Sequence, residues 1–171
     1  MECIGEIVPD LKLMKLEEDK DEETAEETSL LSLLAGKPTI VDFWSTFCKK
    51  CPAALTKLNE LSQAHPEINF VAINIDDYEG SWNMISEREE WQHITHVYAE
   101  DDQKEIAMEK VGLKFLPYYL VLSEDGTVIQ AGNSKDLDFN DLPRLFSQEQ
   151  ENQPPVQNVT ENFTFTTDED F

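Results

Sequence analysis

Thr39-Ile40-Val41-Asp42-Phe43-Trp44, then Ser45-Thr46-Phe47, then Cys48-Lys49-Lys50-Cys51-Pro52, is the stretch from which the rest of the chain is read. Its first six residues have the near-continuous apolarity of a strand buried on both faces, and the stripe Ala54, Leu55, Leu58, Leu61 beyond Cys51 has helical spacing. Strand followed by helix opens a βαβ unit, and two thiols fall at its junction. Cysteines separated by two residues close a disulfide and reopen it. Reopening depends on a thiolate, which the positive end of a helix stabilises by lowering the pKa of the first cysteine. Cys48, ahead of the predicted helix, is therefore expected to be the attacking nucleophile, and Cys51, one turn inside, to resolve the mixed disulfide. Structural zinc would need two more ligands, and Cys3, His65, His93 and His96 are not spaced to supply them; no metal and no cofactor is expected.

Asp42 is the odd residue of an apolar strand. A buried carboxylate is costly unless protonated or hydrogen-bonded, so its pKa should rise, fitting it to take the proton from Cys51 as that thiol attacks. The alternative is a strand-end aspartate open to water. Lys49 and Lys50 add positive charge beside the thiolate; favouring the reduced form this way predicts a potential above the roughly −270 mV of thioredoxin. Trp44, Phe47 and Tyr118 are candidates for an apolar rim, Trp44 equally for plain core. His93 and His96, three apart on a short strand, are expected on opposite faces.

Outward from this centre, Ile4 to Leu16 suggests a short leading strand or hairpin, and the acidic block 17–27 a solvated loop or the polar start of a helix. Ser29 is placed to cap a short helix closed by Gly36. Ile68 to Ile75 reads as a second parallel strand, Ser81 to Trp91 as a helix, Ile94 to Tyr98 as a strand, and Asp101 to Val111 as a helix. Tyr118 to Leu122 and Thr127 to Gln130, joined at Glu124-Asp125-Gly126, form a hairpin that adds an antiparallel edge. Asp138 to Phe146 suggests a last helix. One domain is expected over 1–146, with an acidic, disordered tail at 147–171 that contains Pro154-Pro155.

The 171 residues carry 36 acidic and 13 basic side chains, a formal charge of −23. That balance excludes sequence-independent nucleic-acid binding and disfavours anionic membranes. No apolar run reaches 18 residues and the start lacks the segments of a secretory signal. Three cysteines do not make a stapled scaffold, so a reducing, cytoplasmic setting is expected, with Cys3 unmated.

From Gly36 to Gly132 the chain resembles the thioredoxin superfamily. Val41-Asp42-Phe43-Trp44 with Cys48-x-x-Cys51 is similar to that family's active-site strand and helix start. Val111-Gly112-Leu113-Lys114-Phe115-Leu116-Pro117 resembles its approach to a cis-proline, and Gly126 and Gly132 fall at its hairpin turn and a later glycine. Gly5-Glu6-Ile7-Val8-Pro9-Asp10 and the extra helix and strand between Asp76 and Glu100 look more like the TlpA, tryparedoxin and nucleoredoxin group. The resemblance implies an α/β thioredoxin fold, a central mixed sheet flanked by helices with a strand-helix insertion. It also implies the proton-acceptor role for Asp42, and a cis bond at Pro117 that sets backbone beside the dithiol to pair with a substrate segment, whereas an X-Pro bond on its own is far more often trans. Phe47 replaces the usual Trp, and Lys49-Lys50 the usual Gly-Pro or Pro-Pro. The expected function is thiol-disulfide exchange on protein disulfides, with an unnamed dithiol protein as electron donor. The alternative is a redox-inactive adaptor or binding protein on the same fold.

Overall fold

The computed structural model describes residues 3–147. Thr39–Trp44, strand β3 here, is buried at every residue and lies inside the sheet with a strand on either side. Before it come β1 (Lys12–Lys15), β2 (Glu27–Ser29) and the single turn α1 (Leu30–Leu33); after it come α2 (Cys51–Ala64), β4 (Asn69–Asn74) and α3 (Tyr78–Ser86). A 3-10 turn (Glu89–Trp91), β5 (Thr95–Tyr98), α4 (Asp101–Lys110), β6 (Tyr118–Leu122), β7 (Val128–Gly132) and α5 (Leu142–Leu145) complete the order. The strands form one sheet in the order β2-β1-β5-β4-β3-β6-β7. β3 pairs parallel with β4 and β4 with β5; β6 joins β3 antiparallel and β7 joins β6. This is the expected α/β architecture with a mixed sheet.

Alternation along β3 divides the core. Ile40 and Trp44 face one side with Cys51, Ala54, Leu55 and Leu58 of α2, together with Tyr78, Trp91 and Leu145. Val41 and Phe43 face the other, with Leu30, Leu34, Ala107 and Val111. Helices thus cover both faces, which is why the central strands read as continuous apolar runs. Asp42 falls on the α2 side by the same period of two.

Several boundaries move. The leading segment holds a single strand, β1, which pairs with β2 across the acid-rich connection and with β5 on its other side. Most of the 17–27 block is exposed turn, with its last residue, Glu27, drawn into β2; no helix starts there. Ser29 caps α1 in a reciprocal capping box with Ser32. The helix expected over 81–91 begins earlier, at Tyr78, where Asp77 accepts the Gly80 N–H as N-cap, and it ends at Ser86. The 3-10 turn that follows is pinned to α2 by the Trp91 Nε1–H, which donates to Thr56 Oγ1 at 2.9 Å. The expected 138–146 helix contracts to α5, opened by the Asp141 cap ahead of Pro143. Gly126 takes φ +94° in the hairpin loop, a conformation that side chains rarely adopt, and a Cβ there would lie 2.7 Å from Leu31 Cδ2, which would have to shift. The expected tail beyond Ser147 lies outside the described residues. Among the described residues, no helix is long and apolar enough to cross a membrane.

Candidate active site

The site is built where β3 ends. The Thr46 N–H and hydroxyl both donate to the Asp76 carboxylate, at 3.1 and 2.6 Å, which ties the loop after β3 to the end of β4. Asn74 holds that end in turn, its Oδ1 accepting the Asp76 and Asp77 N–H groups at 3.0 Å. Phe47 is left outside, 85% exposed. The chain then turns twice, Cys48 N–H to Ser45 O and Cys51 N–H to Cys48 O, both 3.3 Å, and enters α2 with Pro52 in the first turn, where a missing N–H costs nothing.

Cys48 and Cys51 are joined as a disulfide with Cα atoms 5.4 Å apart. Cys48 is half-buried and packs against the core edge, whereas Cys51 is fully buried. The expected asymmetry of access holds. The expected depth does not: Cys51 is the first residue of α2 and not one turn inside it, because Lys50 is the N-cap and Pro52 fixes the start. Cys48 lies two residues ahead of that cap, at the positive end of a helix of 14 residues.

Asp42 is wholly buried, and neither carboxylate oxygen has a hydrogen-bond partner among the described residues. It pairs in register with Ala72 of β4 and Tyr119 of β6, both members of the core on the α2 side, where Cys51 also lies. Burial alone pushes its pKa well above the ordinary carboxylate value. The solvent-open alternative is excluded. Burial also raises the Tyr119 phenol, with the Asp42 charge a smaller contributor.

The Leu116–Pro117 bond is cis. Leu116 and Cys48 line the same groove of about 520 Å³, with Phe47, Phe115 and three lysines. Pro117 follows Leu116 at the edge of that groove. Of the three aromatic candidates for the rim, only Phe47 serves. Trp44 is core, packed edge-on against Trp91 with ring centroids 6.0 Å apart. Tyr118 is also buried, and its hydroxyl donates to the Val111 carbonyl. Phe115, 42% exposed, takes the rim position that sequence reasoning missed; its only sign was a bulky apolar residue two before a proline.

The remaining titratable candidates lie elsewhere. Cys3 is buried and unpaired, its thiol directed to the Val111 carbonyl. His93 precedes β5 and is exposed, its N–H donating to Asn59 Oδ1. His96 lies on β5, its Nε2–H donating to the Trp91 carbonyl at 2.8 Å, with burial lowering its pKa to about 4. His93 is thus not on the strand at all, and the expected opposition of faces does not describe the pair. Among the described residues, no group of three or more His, Cys, Asp or Glu side chains is arranged to hold a metal ion.

Comparison with known proteins agrees with this geometry. The chain is 31% identical over 78 residues to the thiol-disulfide oxidoreductase ResA of Oceanobacillus iheyensis, covering 44% of this chain and 38% of that protein. It is 33% identical over 45 residues to a thioredoxin of Aspergillus fumigatus, covering 26% and 42%. It thus spans about two fifths of the length of the curated relatives it matches. Among solved structures, the thioredoxin domain of a thiol-disulfide oxidoreductase from Bacteroides vulgatus superposes at a TM-score of 0.64 with 19% identity, over 94% of this chain and 97% of that one. Reduced 2-Cys peroxiredoxin of Plasmodium vivax does so at 0.63 with 14% identity, over 93% and 85%. At these identities the structures report the fold. The family model described as thioredoxin-like matches residues 36–128, from the glycine before β3 to the first residue of β7, and the chain belongs to that family.

Proposed function

We propose that the protein is a thiol-disulfide oxidoreductase acting on protein disulfides through Cys48 and Cys51. The observation that carries the reading is the joining of these sulfurs where α2 begins, one reachable and one sealed, with a buried unpaired carboxyl on the same side of the sheet. An adaptor has no use for that asymmetry, and proton transfer gives a reason for a carboxyl buried without a partner.

In the reducing direction the Cys48 thiolate attacks one sulfur of a client disulfide. A mixed disulfide forms and the client's other sulfur leaves as a thiolate. Cys51 gives its proton to the ionised Asp42 and attacks the Cys48 sulfur, releasing the second client thiolate and closing the Cys48–Cys51 bond. Two electrons pass to the client, and a dithiol donor restores them. A raised pKa makes Asp42 a stronger base than an ordinary carboxylate, and in the reverse direction a ready acid. Pro117 and Leu116 offer backbone beside the dithiol for an extended client segment. A reducing, cytoplasmic setting is part of this reading, supported by a cysteine usage that leaves Cys3 buried and unpaired; fractionation of cells expressing the tagged chain tests it. The activity is tested by dithiothreitol-driven insulin reduction. Wild type should accelerate it, Cys48→Ser should not, and equal rates for the two would remove the reading.

A further inference from the structure

The groove beside the disulfide differs in charge from the rest of the molecule. It adjoins a smaller cleft of about 190 Å³ lined by Lys104, Met108 and Leu113, and the two share Lys114, Phe115 and Leu116. Lys49 and Lys50 reach this continuous surface from the turn between the cysteines, Lys104 from α4, and Lys114 from the segment before Pro117. Among the described residues, four lysines line it and no acidic side chain does. Asp76, next to the lining residue Ile75, is engaged by Thr46. The floor is apolar: Phe47 is 85% exposed, Met108 50% and Phe115 42%, three of the four large apolar side chains exposed on the described residues. Lys104 and Met108, four apart on α4, share one helix face, so charge and apolar contact are offered together.

Resting on the oxidoreductase reading, the geometry points to a client class: disulfides whose flanking segment carries acidic residues next to an aromatic or large aliphatic one. The whole-chain charge of −23 opposes such a client at long range. The Debye length of about 8 Å at physiological ionic strength screens distant carboxylates, whereas lysines in contact with the bound segment act within it. Local complementarity therefore decides which segments stay.

The test uses the full, reduced chain and three synthetic peptides with one internal disulfide, alike except for flanking Asp-Phe, Gln-Phe or Lys-Phe residues. At about 0.15 M salt the acidic peptide should be reduced roughly tenfold faster in kcat/KM than the basic one, and within about twofold of it at 1 M. The double variant Lys104→Glu/Lys114→Glu should reverse the order, and Lys104→Arg/Lys114→Arg should keep it. Replacing the peptide's Phe by Ser should cost several-fold. Equal rates for acidic and basic peptides, or a ratio that the charge reversal leaves in place, would overturn the inference and leave the oxidoreductase reading standing. Reduction of none of the three would remove that reading, and the inference with it. An acidic preference appearing only when Asp168, Glu169 and Asp170 are changed to amides in the full chain would put the chain's own end in the groove and overturn the client assignment.

Discussion

Replacing Asp42 by asparagine separates the cost of burying a carboxyl from the chemistry it serves. Neither oxygen meets a donor among the described residues and the side chain is sealed from water, so desolvation holds the folded-state pKa well above its ordinary value. In the unfolded chain the same carboxyl ionises near ~3.9. Between those two values the folded protein binds one more proton than the unfolded chain. Stability then falls as pH rises, by about 1.4 kcal/mol for each pH unit. Below about pH 4 both states are protonated and nothing is lost; above the folded pKa both are ionised and the loss is complete and constant. Asparagine has no such slope. Its amide adds a pH-independent cost of about 1 to 3 kcal/mol if left unpaired. The stability difference should therefore move in favour of Asp42→Asn by a factor of ten per pH unit from about pH 4 upward, then level off where Asp42 ionises. Urea unfolding of both proteins with the disulfide closed, stepped from about pH 4 to about pH 9, reads that curve. The variant should also release its mixed disulfide roughly 100-fold more slowly, since proton transfer is lost. Stability curves that stay parallel over the whole range would mean a solvated or always-ionised carboxyl, and would refute the desolvation argument together with the base it supports.

Cys51→Ser should accumulate a covalent adduct with client proteins, seen on non-reducing gels, while Cys48→Ser should not; adducts from the latter would exchange the two roles. His96 should act opposite to Asp42 on stability: with its pKa lowered to about 4 by burial, the unfolded chain takes up the proton first, so stability falls as pH drops from about 6.5 towards 4, by at most about 3 kcal/mol. His96→Gln should flatten that limb, and an unchanged limb would show that the imidazole is not desolvated. Lys49→Gln/Lys50→Gln should shift the couple about 10 to 20 mV to more reducing values, as exposed charges stabilise the thiolate only weakly; a shift the other way in glutathione titration contradicts that sign. Phe47→Ser should change the unfolding free energy by less than about 0.5 kcal/mol, because the ring is exposed, yet raise KM for insulin; an unchanged KM would remove Phe47 from the client surface.

The parts of the fold that rest on long-range burial were legible in residue type. β3, β4 and β6 are central strands covered on both faces, so they appear as unbroken apolar runs, and α2 keeps its stripe because one face meets the sheet. Elements whose ends are set by single side-chain contacts or short pairings were not. The helix after β4 starts where Asp77 caps it, and its end depends on Trp91 docking onto Thr56, a contact 35 residues distant that no local pattern records. The acid-rich connection hid β2, whose pairing with β1 rests on three registered residues of mixed polarity. Of the candidate site, Cys48, Cys51 and Asp42 could be named because each breaks the pattern around it, thiols at a junction and a carboxyl in an apolar strand, whereas Pro117 was named through the family resemblance. Phe115, Lys104 and Met108 break no pattern. They join the surface only through the packing of α4 and the 113–117 segment beside the dithiol. Tyr118 was misplaced for the converse reason, since alternation tells which residues share a face and not which face meets the groove.

Disulfide exchange between Cys48 and Cys51 and other proteins is measured by mixing the reduced full chain with an excess of oxidised insulin and counting free thiols on each by mass spectrometry after acid quenching. Each molecule of protein should lose two thiols, at Cys48 and Cys51, while one insulin disulfide opens, faster than uncatalysed exchange. A dithiol that stays reduced while insulin stays intact would contradict that exchange.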